Sequence, residues 1–272
     1  MPIIAHTFSV VLGVLRNPQA AKPRLQALRA ISALVEYTRP GDDLAVSWAI
    51  RASCLSKIFP GFSQCLFSTA TGEKGRNSAL KANALRVWAS LVESCFGDKP
   101  TSCIENLSEE EFAKLDLSEF TQWRLDAASR IQPLIGKCME VLSSNAIDLS
   151  PSAVERLDCA VVDFASSISF TCSMCLNQQE AYHKLRDDLI CSLIIVAAKS
   201  HSPLQQGQMT ENCKSASASA SALLHLSRLS QSSIGSEYAA NGLDYIRKLA
   251  FGVLLRSSSE LNSLLDFATG TS

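Results

Sequence analysis

Apolar residues recur at three- and four-residue spacing through almost the whole chain, in long runs cut off by Pro-Gly, Thr-Gly or Ser-Pro. A 3.6-residue period places these residues on one side of a helix, so each run is predicted to be a helix with one face to bury. Successive helices of that kind, joined by short turns, can bury their apolar faces only against one another, in a bundle or a stacked solenoid.

The runs read as antiparallel pairs. Pro2 to Arg16 is followed by Pro23 to Thr38, which is predicted to stop at Pro40-Gly41 and to bury Leu25, Leu28, Ile31, Leu34 and Val35. Asp42 or Asp43 can cap the next helix, expected to end at Pro60-Gly61 and to be followed by a short helix from Phe62 to Ala70. Beyond the polar turn from Gly72 to Asn77, Ser78 to Phe96 carries a buried stripe of Leu80, Ala84, Val87, Trp88 and Leu91. Phe120 to Ser143 resumes the pattern with Pro133 inside it. Ser150-Pro151 has the N-cap and N1 chemistry of a helix start, and Val154, Leu157, Val161, Phe164, Ile168 and Cys172 extend its stripe. Glu180 to Lys199 is its expected partner, and Gly235 to Arg256 and Ser259 to Phe267 close the chain.

Pair starts lie roughly forty residues apart, the spacing of HEAT or armadillo units. The expected fold is therefore all-α, a HEAT/armadillo-like α-solenoid of antiparallel helix pairs over residues 1–272. Two polar stretches interrupt it. One is a linker at about 97–118, where Ser108-Glu109-Glu110-Glu111 has capping-box spacing and at most a short helix is expected. The other is a low-complexity loop at about 201–219, turning helical near Ser219.

Composition supports helices: 47% of residues are hydrophobic, while 12 Gly and 9 Pro are too few to punctuate a many-stranded sheet. With 25 basic and 26 acidic residues no global field draws the protein to nucleic acid or to an anionic membrane. Basic groups occur singly or in pairs, as at Lys22/Arg24, Lys74/Arg76/Lys81 and Arg247/Lys248, without aromatic interleaving. Ile3 to Leu15 is apolar but lacks a basic leader, and Leu189 to Ala198 is far short of the ~20 residues that cross a bilayer. Neither nucleic acid nor membrane is an expected partner; other proteins are. Ten cysteines scattered through apolar helices point to a reducing compartment, the cytoplasm or also the nucleus.

Cys172-Ser173-Met174-Cys175 has the spacing of a zinc or thiol-exchange motif, but no second C-x-x-C or paired histidines complete a ligand set. These cysteines, with Cys159 and Cys191, are expected to be core thiols. His6, His183, His201 and His225 are scattered and expected at the surface. Gly72 to Ser78 lacks the Lys-Ser/Thr ending of a phosphate loop, and Glu109 to Glu111 reads as a solvated helix start rather than a metal cluster. Asn106-Leu107-Ser108 matches a glycosylation sequon, expected to be unused because no secretory signal is read in Ile3 to Leu15. No catalytic, cofactor or metal residue is expected, and the protein reads as a scaffold rather than an enzyme.

Four stretches together resemble the Tel-two-interacting protein one family, the large HEAT subunit of the TTT co-chaperone complex. They are Ile3 to Leu34; Phe59-Pro60-Gly61-Phe62 through Thr71-Gly72-Glu73-Lys74-Gly75 and on to Val92; Thr121-Gln122-Trp123 with Val154-Glu155-Arg156-Leu157 to Cys172; and Leu226-Ser227-Arg228-Leu229. The last has Ser where the family usually has Pro. The resemblance implies a scaffold that stabilises and matures PI3-kinase-related kinases, TOR-type kinases among them. It further implies Tel-two-like and Tti-two-like subunits and the Hsp90 machinery as partners. Family members are longer at both ends, so the chain is expected to be an internal portion of a longer solenoid. A generic HEAT or armadillo adaptor in transport or trafficking is the alternative.

Overall fold

A computed structural model describes residues 2–17, 21–36, 44–72, 77–114, 118–144, 150–172, 183–199, 218, 220–226 and 250–251. The helices are α1 (Pro2–Leu15), α2 (Ala21–Glu36), α3 (Leu44–Thr71), α4 (Ser78–Phe96), α5 (Asp98–Glu105), α6 (Glu109–Lys114), α7 (Ser118–Ser144), α8 (Pro151–Thr171) and α9 (His183–Lys199), with a further short helix over 220–226. Among the described residues there is no strand.

The helices stack in two rows. α1, α3 and α7 lie side by side in one row and α2, α4 and α8 in the other; α1 packs on α2 and α3 on α4 across the rows, and α9 leans on both α7 and α8. Side-chain contacts give the directions. Phe59 of α3 meets Phe96 of α4, whereas Ser63 and Phe67 meet Trp88, so α3 and α4 are antiparallel. Ser78 pairs with Arg156 and Arg86 with Asp163, so α4 and α8 run in the same sense. Antiparallel partners whose counterparts in the next pair run parallel are the signature of a solenoid.

Trp88 is the centre of the stack. Its ring is 0% exposed, lies 5.7 Å from Phe164 of α8 and 6.4 Å from Phe67 of α3, and donates its indole N–H to Ser63 Oγ at 3.1 Å. A second aromatic cluster joins three helices near the end of α4: Phe59, Phe96 and Trp123 of α7 have centroids 5.5 to 5.7 Å apart. Edge-to-face and stacked rings at such distances add to the area they bury.

Three expectations are corrected. The stop predicted at Pro60-Gly61 does not occur: α3 runs unbroken through both residues to Thr71. An interior proline costs about 3 kcal/mol. Leu55, Phe59, Phe62 and Leu66, all at most 2% exposed, flank it, and burial stabilises each by roughly 1.5–3 kcal/mol. Packing on both sides outweighs the break, while the Pro60 ring itself is exposed. The second correction is at 97–118, where the structure places two helices rather than at most a short one. Gly97 heads α5, Pro100 sits in its first turn where an N–H is dispensable, and buried Thr101 and Ile104 seat it, with α5 packing on α3. Third, Cys159 and Cys191 are half-buried rather than fully enclosed, because each stands beside its helix's buried stripe.

Other readings hold. α4 spans the predicted Ser78 to Phe96, with all five stripe residues buried. Ser150 and Pro151 occupy the N-cap and N1 positions of α8, although Ser150 makes no side-chain cap hydrogen bond, and Leu157, Val161, Phe164, Ile168 and Cys172 are buried. The Pro40-Gly41 stop, the Asp42/Asp43 cap and the helix proposed for Ser259 to Phe267 lie outside the described residues. So do nearly all of the 201–219 loop and all but two residues of the helix expected from Gly235 to Arg256.

Candidate interaction surface

The residues singled out for chemistry do not converge. Cys172 is 2% exposed and closes α8, its backbone N–H donating to the Ile168 carbonyl at 3.0 Å; Cys175 lies outside the described residues. His6 is exposed on α1, His183 starts α9, and His225 lies 5.9 Å from the Phe170 ring, while His201 is outside the described residues. Among the described residues no group of three or more His, Cys, Asp or Glu could hold a metal ion. None of the described helices is long and apolar enough to cross a membrane.

Cys138 and Cys159 are held protonated. Burial pushes Cys138 up to about 12, with the Lys81 ammonium pulling the other way. Cys159 rises to about 11, first through burial and then through Glu155, whose carboxylate accepts the thiol hydrogen at 3.6 Å. A thiol this far from its thiolate is a poor nucleophile and a poor metal ligand. Burial likewise raises the Glu155 carboxyl above the usual carboxylate range, offset by hydrogen bonds from Cys159 and the Ala218 backbone. Those contacts belong to packing: Glu155 meets the Ala218 backbone and Phe170 the His225 ring, so these residues lie against α8, with Ala222 and Leu226 buried.

What the fold does assemble is a surface. On α2, Lys22, Gln26 and Arg29 are exposed at three- and four-residue spacing. On α4, Asn83, Arg86, Ser90 and Glu93 form the outer stripe, and on α8 Arg156, Asp163 and Phe170 are exposed at intervals of two turns. Because α2, α4 and α8 are neighbours in one row, these stripes lie side by side. Arg86 Nε and Asp163 Oδ2, 3.5 Å apart and both more than half exposed, stitch α4 to α8 across the seam. An exposed pair like this is worth about 0–1 kcal/mol, so its main effect is to fix charge positions on the face. Near Phe170, whose ring meets His225, Leu223 and Leu224 of the 220–226 helix are 48% and 51% exposed. Exposed charges fixed across a helix seam, with exposed apolar side chains nearby, are protein-recognition chemistry.

Sequence reasoning did not find this face. Arg86, Arg156 and Asp163 look like ordinary solvated charges, and no local spacing tells which helix will lie alongside α4. The one usable signal was the two-turn repeat of Arg156, Asp163 and Phe170 on the side of α8 opposite its apolar stripe.

Comparison with known proteins agrees with the architecture. The family model described as the TTI1 N-terminal TPR domain matches residues 1–179, which contain α1 to α8. TPR units, like the HEAT-like units read from the spacing, are stacked antiparallel helix pairs. No curated protein and no solved structure matches the chain. A match over that much of the 272 residues, on the segment whose helices form the two rows, settles the assignment: the chain belongs to the TTI1 N-terminal TPR domain family, and is an all-α helical-repeat scaffold.

Proposed function

We propose that the chain is a non-catalytic scaffold of a TTT-type co-chaperone assembly, supporting the stability and maturation of PI3-kinase-related kinases, TOR-type kinases included. It acts in the cytoplasm through Tel-two-like and Tti-two-like subunits and the Hsp90 machinery. Family membership supports the assembly, and the observation that carries the binding role is the seam where Arg86 and Asp163 join the outer stripes of α4 and α8 into one face. A rigid repeat stack presents such a face over a long distance at little ordering cost, because the helices are already fixed by their cores.

The test is recovery of partners on the full chain from its native cell. With Arg86→Glu and Asp163→Arg together, recovery of Tel-two-like and Tti-two-like subunits should fall severalfold while the melting temperature stays within a few degrees of the parent. A control change of Glu109→Lys on α6 should leave recovery unchanged. Co-purification of transport or trafficking machinery in place of those subunits would overturn this assignment in favour of a generic adaptor.

A further inference from the structure

α8 carries a further stripe that neither its apolar core contacts nor the Asp163 seam uses. Glu155, Cys159, Val162, Ser166 and Ser169 follow one another at steps of four and three residues, on one face of the helix. That face is covered by Ala218 and the 220–226 helix: the Ala218 backbone meets Glu155, and His225 meets Phe170, the residue after Ser169. The fit beneath the cover is poor. Glu155 Oε2, Ser166 Oγ and Ser169 Oγ are buried with no hydrogen-bond partner among the described residues, and Ser166 and Ser169 are only 4% and 5% exposed. Hydroxyls elsewhere in these helices close on their own backbone: Ser68, Thr69, Thr71, Thr101 and Ser192 each donate to the carbonyl four residues back. Ser166 and Ser169 do not, so their hydroxyls are turned from their own helix toward the cover.

The cover is mismatched on its own side as well. Its buried residues are Ala218, Ala222 and Leu226, and the two alanines bring neither a polar group nor much apolar area. Leu223 and Leu224 face solvent instead, the reverse of a helix suited to this groove. α8 also belongs to the family-matched residues 1–179, whereas the cover lies beyond them.

We infer that the Glu155 to Ser169 stripe of α8 is a docking groove for a helix of a partner protein, and that the 220–226 helix is its placeholder. The chemistry of the groove defines the partner helix. A buried carboxylate oxygen without a donor is best matched by a lysine or arginine, which makes the stronger, charge-assisted hydrogen bond. Arg156, next in sequence, does not fill that role, because it donates to Ser78 Oγ at 2.9 Å on the α4 side. Each unpaired hydroxyl suits a glutamine or asparagine, whose amide both donates and accepts. At the rise of a helix the two serines stand about 16 and 21 Å along the axis from Glu155, so the partner helix spans about four turns. Docking thus exchanges an occupant that leaves three buried polar atoms unpaired for one that pairs them. The groove is a different stripe from the Arg86–Asp163 seam, so either reading can fail without the other.

The experiment uses the full 272-residue chain. The probe is a fluorescein-labelled alanine–leucine helix bearing one lysine and two glutamines at the spacing of Glu155, Ser166 and Ser169. Anisotropy should show saturable binding, and amide exchange across 220–226 should accelerate as the probe saturates the chain. Glu155→Gln should weaken binding by about tenfold, the value of one charge-assisted contact, and a probe with glutamate in place of lysine should not bind. Ser166→Ala with Ser169→Ala frees the placeholder of two unpaired hydroxyls, so exchange across 220–226 should slow in the free chain while the probe binds severalfold more weakly. Hydroxyls with a merely structural role would move neither. Melting temperatures of these variants should match the parent, separating lost docking from lost fold. Absence of saturable binding overturns the inference, as does binding that leaves exchange across 220–226 unchanged or ignores Glu155→Gln, because the probe would then sit elsewhere. Concentration-dependent dimerisation of the free chain that Leu226→Asp abolishes overturns it too, since the occupant would then be a second copy of this chain.

Discussion

α4 and α6 begin in the same way and are held in opposite ways. Asn77 Oδ1 accepts the Leu80 N–H at 3.2 Å to start α4, and Ser108 Oγ accepts the Glu111 N–H at 3.3 Å to start α6. Beyond the first turn the likeness ends: fourteen of the nineteen residues of α4 are buried, and none of the six in α6. A cap contributes about 1 kcal/mol, whereas each large apolar side chain fully buried contributes roughly 1.5–3 kcal/mol. α4 exists because α2, α3 and α8 close around it; α6 exists because its first turn satisfies its own backbone. Capping decides where a helix starts, and packing decides how much of the protein depends on it.

The sharpest way to break that comparison is to remove the largest side chain at the centre of α4. Trp88→Ala leaves a void between Phe67 and Phe164 and strips Ser63 of its indole donor, and should cost about 3–5 kcal/mol in urea denaturation. Phe112→Ala is the matching deletion on α6, where the ring is only half-buried, and should stay within about 0.5 kcal/mol. Equal losses in the two variants would mean that α6 is part of the cooperative core after all.

A smaller effect is expected where helices end. A Cβ at Gly72 would stand 2.5 Å from the Ser68 carbonyl oxygen, the same oxygen that accepts the Gly72 N–H at 2.8 Å. Backbone cannot swing aside, so Gly72→Ala must displace the end of α3, at a cost of about 1–2 kcal/mol. At Gly136 the added carbon would instead meet Asp188 Oδ2 at 2.7 Å, the tip of a side chain that can rotate. Gly136→Ala should therefore lower the melting temperature less than Gly72→Ala, and the reverse order would show that the α7–α9 contact is the tighter constraint.

These contrasts explain what could be read from the chain alone. The bounds of α4, its buried stripe and the Ser108–Glu111 capping box are local patterns written in adjacent residues, and the structure repeats them. Pro60-Gly61 was misread because the local penalty is visible in sequence, whereas the burial of Phe59, Phe62 and Leu66 that overcomes it comes from helices far away in the chain. The polar stretch from Gly97 to Ser118 was misread for a related reason: two buried residues, Thr101 and Ile104, are enough to seat α5 on α3, but too few to make a period. The exposed face was least legible of all. Its defining pair, Arg86 and Asp163, depends on which helices become neighbours, and that is set by the packing of Trp88 against Phe164 rather than by anything beside either charge.

The finest test uses the two caps themselves, where the chemistry is closest and only the surroundings differ. Asn77→Ala removes the acceptor for the Leu80 N–H at the head of a helix that cannot open without exposing Leu80, Leu85 and Trp88. Its cost must therefore appear in global stability, at about 1 kcal/mol. Ser108→Ala removes an equivalent acceptor and the reciprocal contact to Glu111, but α6 can unravel while every core residue stays in place. The global unfolding midpoint should then move by less than about 0.3 kcal/mol in equivalent stability, while amide exchange accelerates across 109–114 alone. Measured together, denaturation and hydrogen exchange separate the two scales: the Asn77 variant should lower the free energy of the slowest-exchanging amides, and the Ser108 variant should leave them untouched. A Ser108→Ala chain that loses as much global stability as Asn77→Ala would show that the α5–α6 connection carries load for the stack, and that exposure of its side chains is a poor guide to its role.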